Sequence, residues 1–173
     1  MLSKYILSFK TASSLKSSTA MRGTSGFANS LSIGILFTYS DQHNFELVND
    51  MKARLEKEGK KVDSMTYIVE MGENDNYPFP FFNFKDIDFW GNWKKTDVKK
   101  FIDLPFDYLL NLDLCTNNVT QNILAKSMAK CRVGRYEQGK SDYFELMIDH
   151  KENDYGQFID QVYHYIKNLR NGK

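Results

Sequence analysis

Residues 31–38 read Leu-Ser-Ile-Gly-Ile-Leu-Phe-Thr, a short and almost continuous apolar run followed by Tyr39-Ser-Asp41. A run of this length is the pattern of a strand buried on both faces. Ser40 or Asp41 can cap the helix that follows. In that helix Phe45, Val48, Met51 and Leu55 recur at helical spacing, and Lys52, Arg54, Glu56, Lys57 and Glu58 take the wet face. Gly59 stands where a helix terminus wants a residue free to adopt positive φ. Ser64-Met-Thr-Tyr-Ile-Val69 then reads as a second strand. Strand, helix and strand at this spacing make a βαβ unit, whose crossover is right-handed.

The pattern resumes further along. Thr96 is placed to cap a short helix carrying Val98, Phe101 and Ile102, ended by Pro105. Phe106–Leu112 (FDYLLNL) is the next strand, and Asn117 or Asn118 opens a helix on Val119, Ile123, Leu124, Ser127 and Met128. Lys130–Val133 forms a short strand stopped at Gly134, Asp142–Asp149 another, and a last helix runs on Phe158, Ile159, Val162, Ile166 and Leu169. Alternation of strands with helices indicates a Rossmann-like α/β fold: an open, mostly parallel sheet with helices on both faces. That single domain spans 31–173, preceded by an N-terminal helical arm and linker over 1–30.

Composition narrows the classes. The chain has 173 residues, 42% of them hydrophobic, enough for a packed core without disulfide or metal staples. Its net charge of +1 argues against a protein built mainly to coat nucleic acid. The two cysteines, Cys115 and Cys131, lie outside any CxxC motif and suit a reducing cytoplasm. The three histidines, His43, His150 and His164, do not cluster with them, so no metal site is expected. The apolar run at Leu31–Tyr39 is far shorter than the ~20 residues a membrane-spanning helix needs.

The first 30 residues differ from the rest. They carry Lys4, Lys10, Lys16 and Arg22, no acidic residue and eight serines. This composition is shared with organellar transit peptides. The plainer reading is a short helix on Tyr5, Ile6, Phe9 and Leu15 that docks on the body and ends in a flexible Arg22–Ser30 linker. The sharper one is a weak anionic contact, with RNA or lipid, through the four basic side chains.

Residues 72–93 break the α/β pattern, with eight aromatics and two of the three prolines. One account is an extended segment whose rings cover a sheet edge, with Asp86–Phe89 adding a strand. The other is a partner surface, for which Trp90 and Trp93 are the chief candidates.

No catalytic motif appears. GxGxxG, GxxxxGK[ST] and GxSxG are all absent, and no cofactor is indicated. Cys115, beside a helix start, is better placed for a nucleophile than Cys131, but an inert thiol is the commoner case. General physics does name a location, because open parallel sheets bind ligands beyond the carboxyl ends of their strands at a topological switch point. Tyr39, Ser40 and Asp41 follow the first strand. Asn111, Asp113 and Asn117 follow the central one, and Gly134, Arg135 and Tyr136 the short one. Arg135 is the expected anion contact, while Asn and Asp at such positions equally serve as caps and turn formers.

Taken in order, Ile33-Gly-Ile-Leu36, Asp88-Phe-Trp-Gly91, FDYLLNL at 106–112, SMAKCRVG at 127–134 and YFELMID at 143–149 resemble a family of small uncharacterised proteins widespread in Bacteroidota. The resemblance spans nearly the whole chain, arm included. It implies a bacterial cytoplasmic protein and favours the docking arm over a transit peptide. The family is a domain of unknown function, so no residue role comes with it. A fainter likeness, in the order of strands and helices, is to one Rossmann-like half of heptosyltransferase-type glycosyltransferases. It implies binding of a nucleotide or nucleotide sugar at the strand ends, although one half alone lacks an inter-domain cleft. The expectation is a non-catalytic binding or interaction module. The alternatives are a nucleotide- or nucleotide-sugar-binding enzyme, or an RNA- or ribosome-associated protein.

Overall fold

The computed structural model describes residues 2–72, 77–115 and 117–170, without the side chains of residues 2–4. Residues 73–76 of the aromatic loop and the Lys4 side chain therefore lie outside the described residues. Six strands form one sheet: β1 (Ser32–Thr38), β2 (Lys61–Tyr67), β3 (Phe81–Phe82), β4 (Tyr108–Asn111), β5 (Cys131–Arg135) and β6 (Leu146–Ile148). Their order is β3-β2-β1-β4-β5-β6, and every pairing is parallel. This is the order of doubly wound Rossmann sheets, with the switch point between β1 and β4.

Residues 31–38 take the predicted role. β1 is the central strand, and its side chains alternate between two cores. Ile33, Ile35 and Phe37 enter a cluster with Val48, Met51 and Leu55 of α2 (Gln42–Lys57) and Phe158, Val162 and Ile166 of α5 (Tyr155–Lys167). Leu36 joins the opposite cluster, with Val98 and Phe101 of α3 (Thr96–Asp103) and Ile123 and Leu124 of α4 (Asn118–Lys126). Helices therefore cover both faces. A strand wetted on neither side has no polar positions to spare, hence the unbroken apolar run.

Several boundaries differ from the sequence reading. β2 starts earlier, at Lys61, because all seven residues of β1 find partners from Lys61 to Tyr67. β5 continues through Gly134 to Arg135, and the glycine belongs there because the Phe144 ring leaves a Cβ only 2.4 Å away. Within 142–149 only Leu146–Ile148 is strand, preceded by a 3-10 turn at Ser141–Tyr143. The expected strand at Asp86–Phe89 is instead a 3-10 turn at Phe84–Asp86 and a single Ile87–Trp93 bridge, and the edge strand is Phe81–Phe82. Thr96 lies inside α3 rather than capping it, the cap position being Lys95.

The arm is a helix, α1 (Leu2–Ser17), packed against α4. Its buried side is Leu7 and Thr11, whereas Tyr5 and Phe9, expected to dock, are 71% and 75% exposed. A buried polar chain fixes the helix. The Thr11 hydroxyl donates to the Leu7 carbonyl (2.8 Å) and accepts from Asn122 Nδ2 (2.8 Å), and Asn122 Oδ1 accepts the Trp93 indole N–H (3.0 Å). The Arg22–Ser30 segment, read as a flexible linker, is tied down. Arg22 donates to the carbonyls of Ala129 and Ser127, Phe27 is buried, and the buried Lys60 ammonium donates to the carbonyls of Phe27 and Ser30.

Candidate ligand-binding cleft

A cleft of about 450 Å³ opens at the carboxyl ends of β1, β2 and β4. Thr38, at the end of β1, and Ser40 line it, with Asn44 from the first turn of α2. Tyr67 and Val69 contribute from the end of β2, and Tyr155 from the start of α5. Leu112, Asp113, Leu114, Cys115 and Asn117 come from the connection between β4 and α4. The fold makes this crevice mechanically: at the switch point the chain leaves β1 for one face and β4 for the other, so the two connections splay apart.

Among the described lining residues Asp113 is the one carboxylic acid, and it is buried. Its Oδ1 accepts the Thr38 backbone N–H at 2.7 Å, and its Oδ2 lies 3.5 Å from Asn117 Nδ2. Burial pushes the carboxyl up to about 6, against the opposing hydrogen bonds from Thr38 and Thr120. Tyr155 stands beside it. Burial raises its phenol, and the charges of Asp113 and Asp41 raise it further. The Tyr67 phenol is also raised by burial. Leu112, Leu114 and Val69 give the cleft an apolar body, with Thr38, Ser40, Asn44, Asn117 and Asp113 as its polar groups, the composition usual for small-molecule pockets.

Three helix N-termini border this end of the sheet, and each is closed by its own side chain. Asp41 accepts the Asn44 N–H (2.8 Å), Asn117 accepts those of Val119 and Thr120, and Asp154 accepts that of Gln157 (2.9 Å). The caps thus engage one or two of the backbone donors at each helix start.

The residues nominated from sequence separate on this geometry. Ser40 and Asp113 line the cleft together. Asp41 is the cap of α2, and its carboxyl is held low by the Asn44 backbone hydrogen bond. Tyr39 turns aside, stacking among Phe45, Tyr77 and Phe79 with ring centroids 5.7–6.1 Å apart. Asn111 is fully buried beneath the cleft and does not line it. Its carboxamide finds no partner among the described residues. Arg135, expected to meet an anion, donates to the carbonyls of His150 (2.7 Å), Leu114 (2.8 Å) and Glu152 (3.4 Å). It braces the wall that carries Leu114. Trp90 and Trp93 also part: Trp90 is 67% exposed, while Trp93 is 4% exposed, edge-on to Phe82. Cys115 is exposed in the lining, and Cys131 is buried, its thiol pushed up to about 12 by desolvation.

Of the lining residues, Thr38, Tyr67 and Tyr155 escaped the sequence reading. Thr38 read as an ordinary strand end and Tyr67 as an interior residue of the second strand. Tyr155 follows the Asp154 cap directly, but nothing local shows that α5 begins next to β4.

No group of three or more His, Cys, Asp or Glu side chains that could hold a metal occurs among the described residues. Likewise, no described helix is long and apolar enough to cross a membrane.

The fold and the cleft together define a doubly wound, all-parallel α/β protein with an acid-bearing crevice at its switch point. Within that class the chain belongs to a family of unknown function, DUF6913, whose family model matches residues 4–169, arm included. No curated protein and no solved structure matches it. The family match carries neither an organism nor an activity with it.

Proposed function

We propose that the protein is a non-catalytic binding module that holds a small molecule in the switch-point cleft, and that it works in the cytoplasm. One observation carries this reading: a pocket of ordinary ligand size stands at the fold's ligand position, with a buried carboxylate on its floor and apolar walls. A second cavity, of about 520 Å³ beside α3 and lined by Asp63, Asp97, Lys100 and Asp103, lies away from the switch point and offers no comparable buried group. The nucleotide reading is weaker on the same geometry. Arg135 is engaged by three carbonyls, and the bordering helix N-termini are capped.

A thermal-shift panel of nucleotides, nucleotide sugars, amines and short RNA tests the reading, run on the wild type and on Cys115→Trp. The exposed Cys115 can be enlarged without entering the core, so the variant folds and its indole fills the cleft. A ligand at a hundred times its dissociation constant adds about 2.7 kcal/mol, a rise of several degrees. The expected result is a shift with one class that disappears in the variant. A shift that persists in Cys115→Trp places binding elsewhere and ends the proposal.

A further inference from the structure

The charge and chemistry of the cleft select a class of ligand. Its lining contains no Lys, Arg or His, and its buried polar floor is the Asp113 carboxylate. Asp41, also negative, acts on Tyr155 as well. The neighbouring cation, Arg135, faces the carbonyls of Leu114, His150 and Glu152. An anion entering here would lose its hydration and approach a carboxylate, with no cationic side chain in the lining to compensate. A cation meets the opposite situation: a carboxylate on the floor and two phenol rings, Tyr67 and Tyr155, on the walls. Carboxylate and aromatic rings together are the surroundings in which an organic ammonium is stabilised by ion pairing and by ring quadrupoles.

We infer that the cleft takes a small organic ammonium ion with an apolar body, its charged head against Asp113 and its body between Tyr67 and Tyr155. The inference rests on the cleft being the binding site and adds the ligand's charge. Asp113 accepts from the Thr38 backbone N–H and from the Thr38 and Thr120 hydroxyls, with Asn117 Nδ2 3.5 Å from its Oδ2, so an ammonium would join these donors on the remaining lone pairs of the carboxylate. The volume of about 450 Å³ is ample for a compact amine.

The test uses tyramine and choline as probes, with AMP and UDP-glucose as anionic controls, on the full chain by calorimetry. Two substitutions at the exposed Cys115 change the charge of the lining without touching the core. Cys115→Glu is expected to tighten amine binding about tenfold and Cys115→Lys to weaken it about tenfold, roughly 1.4 kcal/mol each way. Asp113→Asn, which keeps the acceptor for Thr38, is expected to weaken it at least thirtyfold. Equal binding of the amines to Asp113→Asn, the opposite order of the two Cys115 variants, or no amine binding at millimolar concentration overturns the ammonium assignment. Binding of only the anionic probes, blocked by Cys115→Trp, would overturn it while leaving the cleft as the site. Amine binding that survives Cys115→Trp would overturn both.

Discussion

Asp113 is a buried carboxyl maintained against its own desolvation. Its carboxyl sits near 6 in the folded protein against 3.8 for an ordinary aspartate, so the folded state holds the proton more tightly than the unfolded chain. The resulting stabilisation is complete below about 3.8 and is lost as the pH rises through about 6, which leaves a penalty of ~3 kcal/mol at neutral pH. The groups around it are Thr38 from β1, Asn117 at the cap of α4 and Thr120 within it, and the phenol of Tyr155 from α5, with Asp41 at the head of α2. None is a cation. Asp113→Asn is therefore expected to raise neutral-pH stability by about 1–3 kcal/mol, and its advantage should vanish between pH 6 and 4 in urea titrations. A variant no more stable than wild type at pH 7 would show that the carboxylate is not desolvated. A stabilised variant that has lost binding of the amine probes would be the trade-off expected of a functional group.

Among elements, the short strands on the β5 side depend on one ion pair. Arg132, in β5, donates Nε and Nη2 to the two oxygens of Glu145 (3.1 and 2.8 Å) and donates further to the carbonyls of Leu124 and Asp142. The Arg132 backbone N–H donates to the same carboxylate at 2.7 Å, and Arg22 approaches it to 3.9 Å. These contacts lead the chain into β6, where the sequence pattern promised a longer strand. Glu145→Ala leaves a buried guanidinium without its counter-charge and is expected to lower stability by about 3–5 kcal/mol in chemical denaturation. Combining it with Arg132→Met should recover most of the loss. A double variant as unstable as the single would show that packing, not charge, dominates there.

At the scale of the molecule the arm is part of the core. Leu7 is buried with Met65, Phe82 and Trp93, and Thr11 completes the chain through Asn122 to the Trp93 indole. The same indole fastens the aromatic segment. A Cβ on Gly91 would lie 3.3 Å from the Lys10 side chain, so the turn carrying Phe89 and Trp90 rests on α1. Removing residues 1–20 exposes Leu7's neighbours and leaves the Asn122 amide unpaired. The expected loss is at least ~3 kcal/mol, with the melting temperature falling by several degrees. An unchanged melting temperature would mean that the arm is an appendage.

The sequence alone determined the core of the sheet, though not its edge strand β3 or several strand ends. An apolar run at 31–38, amphipathic periods in α2 and α5 and turn residues between them are local signals, because burial on two faces or on one stripe dictates residue type at each position. It also named the connections after β1 and β4, since parallel order brings their ends to one edge whatever the side chains are. Tertiary structure decided which residues there are available. Arg135 and Asn111 have the same local appearance as Asp113, yet packing turns the first onto three carbonyls and seals the second under the cleft. Tyr155 arrives from more than 40 residues away because α5 returns across the sheet. The arm's buried face, Leu7 and Thr11 rather than Tyr5 and Phe9, was set by polar partners on α4 that helical period cannot express. A side chain's type is written locally, but its hydration and its partners are long-range properties, and these fix what a site can hold.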